Sequence, residues 1–250
     1  MTNISERRAA FRALHTTSCF ALPNPWDGGS AIRLAKAGFK ALASTSAGAA
    51  WALGKDDGEM RVDEVLDHLR MLCAVTDLPV NADFEAGFAD TPAGVGANVK
   101  RCIDTGVAGL SIEDRDGLSF YAIDEAVARL AAARAAIDAS GEDVILVGRC
   151  EAYLMPTLNM DEVVARLQAY SAAGADCVYA PGVKTLADTA RLVQSVGKPV
   201  NANLTGTDAS VSDFASVGVR RVSVGAALAQ ATYAAFDGFV DLLKTDGKLP

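Results

Sequence analysis

At 250 residues, 50% hydrophobic and 22% charged, the chain can bury a large core, and we expect residues 1–250 to form one domain. The formal net charge of −8 argues against nucleic acid or an anionic membrane surface as a partner. Five widely spaced cysteines without a Cys-x-x-Cys pair, and no apolar run of the roughly 18 residues that span a membrane, predict a cytoplasmic protein with reduced thiols.

Short apolar runs recur along the chain, and a longer segment with helical periodicity follows each of them. Eight runs are predicted as strands: Cys19–Leu22, Ala41–Ser44, Pro79–Ala82, Gly109–Ile112, Val144–Gly148, Cys177–Tyr179, Pro199–Ala202 and Arg221–Val224. This alternation predicts the α/β class and a (β/α)8 TIM-type barrel. A doubly wound open sheet is the alternative, although such sheets usually stop at about five to seven strands.

The two ends of the chain are predicted to be helical. Ser5–Leu14 is expected to close the bottom of the barrel or to pack against a neighbouring molecule. Ala226–Leu243 is expected to supply the last helix.

Acidic residues follow two neighbouring strands, at the end of the barrel where chemistry takes place. Asp83 and Glu85 follow the third strand, and Glu113 and Asp114 end the fourth. Carboxylates gathered there lose solvation unless a cation or a substrate compensates them, and oxygen ligands suit Mg²⁺. Asp83 and Glu85 would face the same side of an extended strand, although a solvated loop pair would look identical.

Other strand ends carry residues that are open to two interpretations. Arg149 ends the fifth strand, and a buried arginine needs an anionic partner, so it binds either a substrate or Glu113 or Glu151. Asp57 follows the second strand in a segment that a turn would explain equally well. Asn203 and Thr205, after the seventh strand, are equally compatible with a binding role and with an ordinary turn.

The histidines and glycines exclude several classes of site. Neither His15 nor His68 lies at a predicted strand end, which argues against a Ser-His-Asp triad and against a histidine-ligated zinc centre. No dinucleotide-binding or P-loop glycine motif occurs. Acid–base chemistry must therefore come from carboxylates, lysine, metal-bound water, or candidates such as Tyr121, Tyr153 and Cys150.

Taken together, these motifs resemble the isocitrate lyase / phosphoenolpyruvate mutase superfamily over nearly the whole chain. The matching blocks are Leu22–Asp27, Ser44–Gly48, Trp51–Gly54, Asp57–Glu59, Asn81–Phe88, Gly109–Asp114, Gly148–Arg149 and Asn201–Thr205. The resemblance implies a (β/α)8 barrel, often with a swapped terminal helix, assembled as a dimer or tetramer. It also implies Mg²⁺, with Mn²⁺ as a possible substitute, and a small carboxylate substrate that forms an enolate.

The resemblance also implies roles for individual residues. Asp83 matches the main metal ligand, while the carboxylates that hold metal-bound waters are matched by Glu85, Glu113 and Asp57. Arg149 matches the substrate-binding arginine, and with Glu113 and Asp57 it forms the expected catalytic set. The substrate carboxylate would be bound by the backbone N–H groups of the loop Thr45, Ser46 and Ala47, with Asn203 and Thr205 as further substrate-binding residues.

Two departures from the motifs of this superfamily narrow the range of activities that the resemblance implies. The aspartate motif reads Asp83-Phe84-Glu85 instead of Asp-x-Asp, and the longer side chain can still reach a metal-bound water. Isocitrate and methylisocitrate lyases carry a Lys-Lys-Cys-Gly-His-type loop after the Glu-Asp pair, whereas Arg115–Tyr121 is short and has neither Cys nor Lys. The strand-six glutamate of those lyases is also replaced, around Ala180–Gly182. The chain therefore resembles a short-loop branch of the superfamily.

Three functions follow as hypotheses. The first is a Mg²⁺-dependent lyase that acts on a small 2-oxo or 2-hydroxy carboxylate through an enolate, by C–C cleavage or decarboxylation. The second is a P–C bond enzyme of the phosphonopyruvate hydrolase or phosphoenolpyruvate mutase type, with Arg115 and Ser119 as candidates for binding the phosphonyl oxygens. The third is a non-catalytic barrel that binds carboxylates, against which the retained carboxylate and arginine set argues.

Overall fold

The structure is a computed structural model that describes residues 3–117, 119–151 and 159–248. The described residues form ten strands. They are β1 (Phe20–Leu22), β2 (Leu42–Ala43), β3 (Val80–Asp83), β4 (Gly109–Glu113), β5 (Arg115–Asp116), β6 (Ser119–Phe120), β7 (Ile145–Arg149), β8 (Cys177–Tyr179), β9 (Val200–Asn203) and β10 (Arg221–Ser223). Eight of them are parallel, in the order β1-β10-β9-β8-β7-β4-β3-β2. Each of the eight predicted strands is present, and no strand end lies more than one residue from its predicted position.

The two outer strands of this order are joined by hydrogen bonds beyond the regular ladder. The Ala43 N–H donates to the carbonyl of Pro23 at 3.0 Å, and the Asn24 side chain donates to the carbonyl of Ser44 at 2.9 Å. These contacts bring β2 back to the end of β1, so the sheet is a nearly closed barrel. The TIM-type prediction is confirmed, and the open sheet is excluded. The β5–β6 hairpin was not predicted.

Ten helices lie among these strands in the described part of the chain. They are α1 (Ile4–Thr17), α2 (Gly28–Lys36), α3 (Ser46–Ala52), α4 (Val62–Val75), α5 (Pro92–Ile103), α6 (Ile123–Ser140), α7 (Met160–Ala172), α8 (Leu186–Val196), α9 (Val211–Ser216) and α10 (Ala227–Asp246). Their starts follow from local chemistry. Thr91 caps α5 with its hydroxyl, and Pro92 occupies the first turn, where no N–H is needed.

Helix α1 closes the bottom of the barrel, which confirms one of the two roles expected for Ser5–Leu14. Its Phe11 is fully buried and packs edge-on against Phe20 of β1, with ring centroids 6.2 Å apart. At Gly109 of β4, a Cβ atom would lie 2.8 Å from the Phe11 ring, so only glycine leaves room for this plug. Arg8 fixes the helix by donating to the carbonyls of Val107 and Ile103.

Helix α10 differs from the other long helices because most of its large apolar side chains are exposed to solvent. Ala229 is its only buried residue, whereas Phe236 is 61% exposed and Leu243 is 53% exposed. Phe239, Val240 and Leu242 are exposed as well. None of the described helices is long and apolar enough to cross a membrane.

Candidate active site

Two adjoining cavities open at the carboxyl ends of the parallel strands. The first, of ≈ 200 Å³, includes Thr45, Ser46, Ala47, Asp57, Asp83, Arg149 and Asn203 in its lining. The second, of ≈ 590 Å³, includes Asp57, Glu85, Glu113, Arg115 and Tyr121. Nine of the ten predicted site residues thus line one cavity or the other, and Asp57 lines both.

Arg149 lies at the centre of the carboxylates. Its Nη1 is 3.0 Å from Asp83 Oδ1, its Nη2 is 3.5 Å from Glu113 Oε2, and its Nε donates to Glu151. Burial alone would lower the pKa of Arg149, but the three carboxylates around it raise that pKa well above its usual range. Both partners predicted from the sequence, Glu113 and Glu151, therefore contact Arg149. Arg149 also lines the first cavity.

Asp83 joins Arg149 to the loop at the start of α3. Its second carboxylate oxygen accepts a hydrogen bond from the Ser46 N–H at 3.1 Å. Its own N–H donates to the Ser44 hydroxyl at 2.7 Å, so the end of β3 is held against the end of β2. Asp83 is thereby held between a cation and a backbone donor.

Glu85 is the most strained member of the site. Strand β3 ends at Asp83, and Glu85 takes a left-handed backbone with φ of 43°, which is uncommon for any residue with a Cβ. The two side chains therefore do not share a strand face, and the extended-strand interpretation was wrong. Glu85 Oε1 is buried without a hydrogen-bond partner in the described structure. Burial, together with the charges of Asp83, Glu113 and Asp57, raises the pKa of Glu85 to about 8.

Glu113 and Glu151 lie against two arginines. Burial raises the pKa of Glu113, and Arg149 and Arg115 oppose that shift. The Arg115 Nε donates to Glu113 at 2.9 Å and lies 3.8 Å from Glu151 Oε2. Sequence reasoning treated Glu151 only as a partner for Arg149, whereas its carboxylate joins both arginines.

Asp114 does not belong to the carboxylate cluster, contrary to the prediction from the Glu-Asp pair. Successive side chains of a strand point to opposite sides, so Asp114 faces away from Glu113, toward α7. There it accepts from the Tyr170 hydroxyl at 2.5 Å and from Arg166 at 3.2 Å. It also accepts from the N–H of Glu151 at 2.9 Å, and so it fixes the backbone that carries Glu151.

The loop Thr45, Ser46 and Ala47 forms the start of α3. The Thr45 hydroxyl caps the helix, and the Ser46 N–H is directed at Asp83. Ala47 occupies the next position of the first turn, where an N–H has no partner within the helix. At Gly48 a Cβ atom would lie 2.8 Å from Trp26 and from the Thr45 methyl group, so glycine allows the loop to pack this closely.

The two residues predicted after the seventh strand are placed differently. Asn203 lines the first cavity, and its side-chain oxygen accepts from the Thr205 N–H at 2.9 Å. Thr205 is exposed and does not line either cavity. Its hydroxyl donates to the carbonyl of Val224 at 2.9 Å, which joins the ends of β9 and β10.

The three candidates for a general acid differ in their positions. Tyr121 lines the second cavity, with the Arg129 guanidinium 3.9 Å from its ring centroid. Cys150 is fully buried in the core between strands and helices. Tyr153 lies outside the described residues.

The donor set of the site suits a hard divalent cation. All its acidic groups are carboxylates, and the unpartnered, buried Oε1 of Glu85 has the character of an atom that a cation would satisfy. No group of three or more His, Cys, Asp or Glu side chains within the described ranges could hold a metal ion alone. Such a set fits Mg²⁺, which keeps several waters and takes few direct protein ligands.

The floor of the first cavity contains residues that sequence reasoning missed. Arg221, the first residue of β10, reaches across the barrel interior. Its Nε donates to Asn201 at 2.8 Å and its Nη1 donates to Asn81 at 3.2 Å. The one signal in the sequence was an arginine inside a predicted buried strand.

Comparisons with known proteins agree with this geometry. The family model for phosphoenolpyruvate phosphomutase matches residues 11–243. A 2-methylisocitrate lyase of Escherichia coli (strain K12) is 32% identical over 187 residues, which is 70% of this chain but only 62% of that enzyme.

Two solved structures extend the agreement to the whole fold. A candidate lyase/mutase of Burkholderia cenocepacia J2315 has a TM-score of 0.96 at 43% identity, covering 98% of this chain and 91% of that chain. The structure of 2,3-dimethylmalate lyase has a TM-score of 0.89 at 27% identity, covering 100% of this chain and 90% of that one.

Proposed function

Because the chain belongs to the isocitrate lyase / phosphoenolpyruvate mutase superfamily, we propose that it is a Mg²⁺-dependent lyase for a small 2-oxo or 2-hydroxy carboxylate. The reaction would pass through an enolate, by C–C cleavage or decarboxylation. One observation carries this proposal: Asp83, Glu113 and Glu151 hold Arg149 at the strand ends, where Glu85 Oε1 is buried without a partner among the described residues.

Each residue has a role that its position supports. Asp83 would bind the cation directly, and the waters of that cation would be held by Glu85, Glu113 and Asp57. The bound cation, Mg²⁺ or Mn²⁺, would supply Lewis-acid stabilisation of developing negative charge. Arg149 and the backbone donors of Ser46 and Ala47 would orient the substrate carboxylate, with Asn203 beside it.

The contacts at the β5–β6 hairpin favour carbon chemistry over the phosphonate alternative. A phosphonyl group needs donors for three oxygens, and of the two residues predicted to supply them only Arg115 lines a cavity. Ser119 is exposed and does not line either cavity. Two of the compared proteins, the 2-methylisocitrate lyase and the 2,3-dimethylmalate lyase, are lyases of carbon acids by name.

The test is turnover of a substrate panel with Mg²⁺. Oxaloacetate, alkylated malates and phosphonopyruvate would be followed by ¹H and ³¹P NMR, with EDTA as the metal-removal control. We expect EDTA-sensitive formation of a 2-oxo acid from a carbon acid. Asp83→Ala should lower that rate by about 10³-fold, because Lewis-acid stabilisation contributes several kcal/mol. The matched control Asp67→Ala, on the exposed face of α4, should keep the full rate.

Other outcomes of the panel have definite meanings. A phosphorus product would move the protein to the phosphonate class. Unchanged turnover in Asp83→Ala would refute the assignment of the metal site. Oxalate binding without turnover of any panel member would support the non-catalytic barrel.

We further propose that a second copy of the chain covers the exposed apolar face of α10, by exchange of this helix in a dimer or tetramer. Phe236, Phe239 and Leu243 expose more apolar surface than a lone helix in water would keep. Light scattering should show an oligomer, and the double variant Phe236→Glu/Phe239→Glu should dissociate it; a monomeric wild type would refute this.

All five cysteines are free, which supports the proposed cytoplasmic location.

A further inference from the structure

We propose that Arg221, on the floor of the first cavity, binds a second carboxylate of the substrate, so that the site selects dicarboxylates over monocarboxylates. This inference rests on the proposed function and deepens it, because it names the substrate class. Arg221 is 3% exposed and lines the same cavity as Asp83 and Arg149.

Arg221 is a buried cation without an acidic partner. No ion pair within the described residues includes it, whereas Arg149 is paired with three carboxylates in the same cavity. A guanidinium keeps its charge at any physiological pH, and a buried charge is costly unless an opposite charge compensates it. The missing counter-charge is therefore one that a ligand can bring.

The neighbours of Arg221 supply hydrogen bonds but no negative charge. Asn201 and Asn81 are neutral amides. His15 of α1 lies 3.4 Å from Nη1, and burial together with Arg221 lowers the pKa of His15 to about 4. Burial raises the pKa of the nearby Cys177 to about 11, so this side chain remains a neutral thiol. The cavity floor is thus a polar, positively charged surface.

The guanidinium still has donors to offer. Its Nε and Nη1 make the contacts to Asn201, Asn81 and His15, and Nη2 makes no hydrogen bond to the described part of the chain. The three contacts fix the plane of the guanidinium before a ligand arrives. A donor fixed in this way loses little conformational entropy on binding a carboxylate.

The positions along the strands set the spacing of the two charged groups. Asn81 and Asn201, which hold Arg221, lie two residues before Asp83 and Asn203 on β3 and β9. A strand rises about 3.3 Å per residue and is tilted in a barrel, so the two levels are about 5–7 Å apart. A four-carbon dicarboxylate is of that length. Its reacting end would lie at Asp83 and Arg149, and its other carboxylate at Arg221.

The test compares two ligands that differ only at the far end. Calorimetry with the Mg²⁺-loaded protein would measure malate, which ends in a carboxylate, and 2-hydroxybutyrate, which ends in a methyl group. The wild type should bind malate about 10- to 100-fold more tightly, as expected for a hydrogen bond to a charged group. Arg221→Met should reduce this preference to about 3-fold or less, with the affinity for 2-hydroxybutyrate nearly unchanged.

Two further variants separate recognition from a structural role. Arg221→Lys keeps the charge and should keep part of the preference, and it serves if Arg221→Met does not fold. His15→Gln removes one of the three contacts that fix the guanidinium but leaves its charge, so it should keep most of the preference. A wild type without preference, or an equal loss for both ligands in Arg221→Met, would overturn the inference.

This experiment is independent of turnover. If the substrate panel gives no product but the malate preference depends on Arg221, the proposed activity fails and the second binding site stands. If turnover is found but the preference is absent or does not depend on Arg221, only the second binding site fails.

Discussion

The two ends of this barrel are built on opposite principles, although the same eight strands form both. At the bottom, Phe11 and Phe20 fill the interior, and the charged residues around the rim pair with each other, as Arg8 does with Glu142. At the mouth, three carboxylates share two arginines, and an oxygen of a fourth carboxylate, Glu85, has no described partner. Apolar side chains fill the end that α1 closes, and the carboxylate without a described partner lies at the end where a ligand can enter.

The largest effect on stability should come from the bottom. Phe11→Ala removes the plug and should lower the free energy of unfolding by about 4 kcal/mol, since a large buried ring is lost and the closed barrel cannot collapse around the cavity. Urea unfolding measures this loss. The folded fraction of the variant should keep the KM of the wild type.

A conservative variant gives the control for that prediction. Phe11→Leu should cost less than about 1.5 kcal/mol, because it keeps an apolar side chain in the same place. A changed KM in either variant would contradict the conclusion that the bottom of the barrel affects stability and the mouth affects binding.

A smaller loss of stability should follow from Arg149→Met at the mouth. Removing the arginine leaves Asp83, Glu113 and Glu151 without their shared cation, and we expect a loss of about 3 kcal/mol in EDTA at neutral pH. Added Mg²⁺ should restore part of it, whereas Mg²⁺ should not stabilise Phe11→Ala more than the wild type. Equal responses of the two variants to Mg²⁺ would contradict the proposed metal site.

The smallest effect is the contribution of one carboxyl at the mouth to the pH dependence of stability. The pKa of Glu85 is raised from 4.5 to about 8 in the folded protein. Between these values the folded state holds a proton that the unfolded chain has released. The contribution of Glu85 to stability in EDTA should therefore fall as pH rises from about 4.5 to about 8 and level off above that range, whereas the lowered pKa of His15 gives a contribution of opposite sign below pH 6.5.

Glu85→Gln removes this contribution, so the stability measured by urea unfolding in EDTA between pH 5 and 9 should show a less negative slope than that of the wild type. The matched control Glu59→Gln, on the exposed loop that also carries Asp57, should keep the wild-type slope. The same slope in Glu85→Gln and in the wild type would assign it to another group.

The sequence was sufficient for the barrel because each strand is a short apolar run and each helix has its own start signal. It also placed Asp83 and Arg149 correctly, since polar residues directly after a buried strand lie at the barrel mouth. Glu85 was misinterpreted because its position depends on a left-handed backbone that alternation along a strand cannot predict. Asp114 was misassigned because adjacent residues at a strand end face opposite sides.

Arg221 was missed for a different reason. Its role depends on where its side chain ends, on the far side of the barrel interior beside Asn81, and not on its own place in the chain. Thr205 shows the converse, because a hydroxyl at a strand end can be used entirely by a neighbouring carbonyl. Such contacts between distant segments leave no periodic pattern in the sequence.

The plug also constrains how the protein is made. Phe11 is synthesised well before its partners Ile145 and Val147 of β7 and Cys177 of β8. Until then Phe20 and the other early members of this cluster cover only part of the apolar face of α1, and exposed apolar surfaces promote aggregation of nascent chains. Helix α1 therefore keeps part of its apolar face uncovered until β7 and β8 have been synthesised.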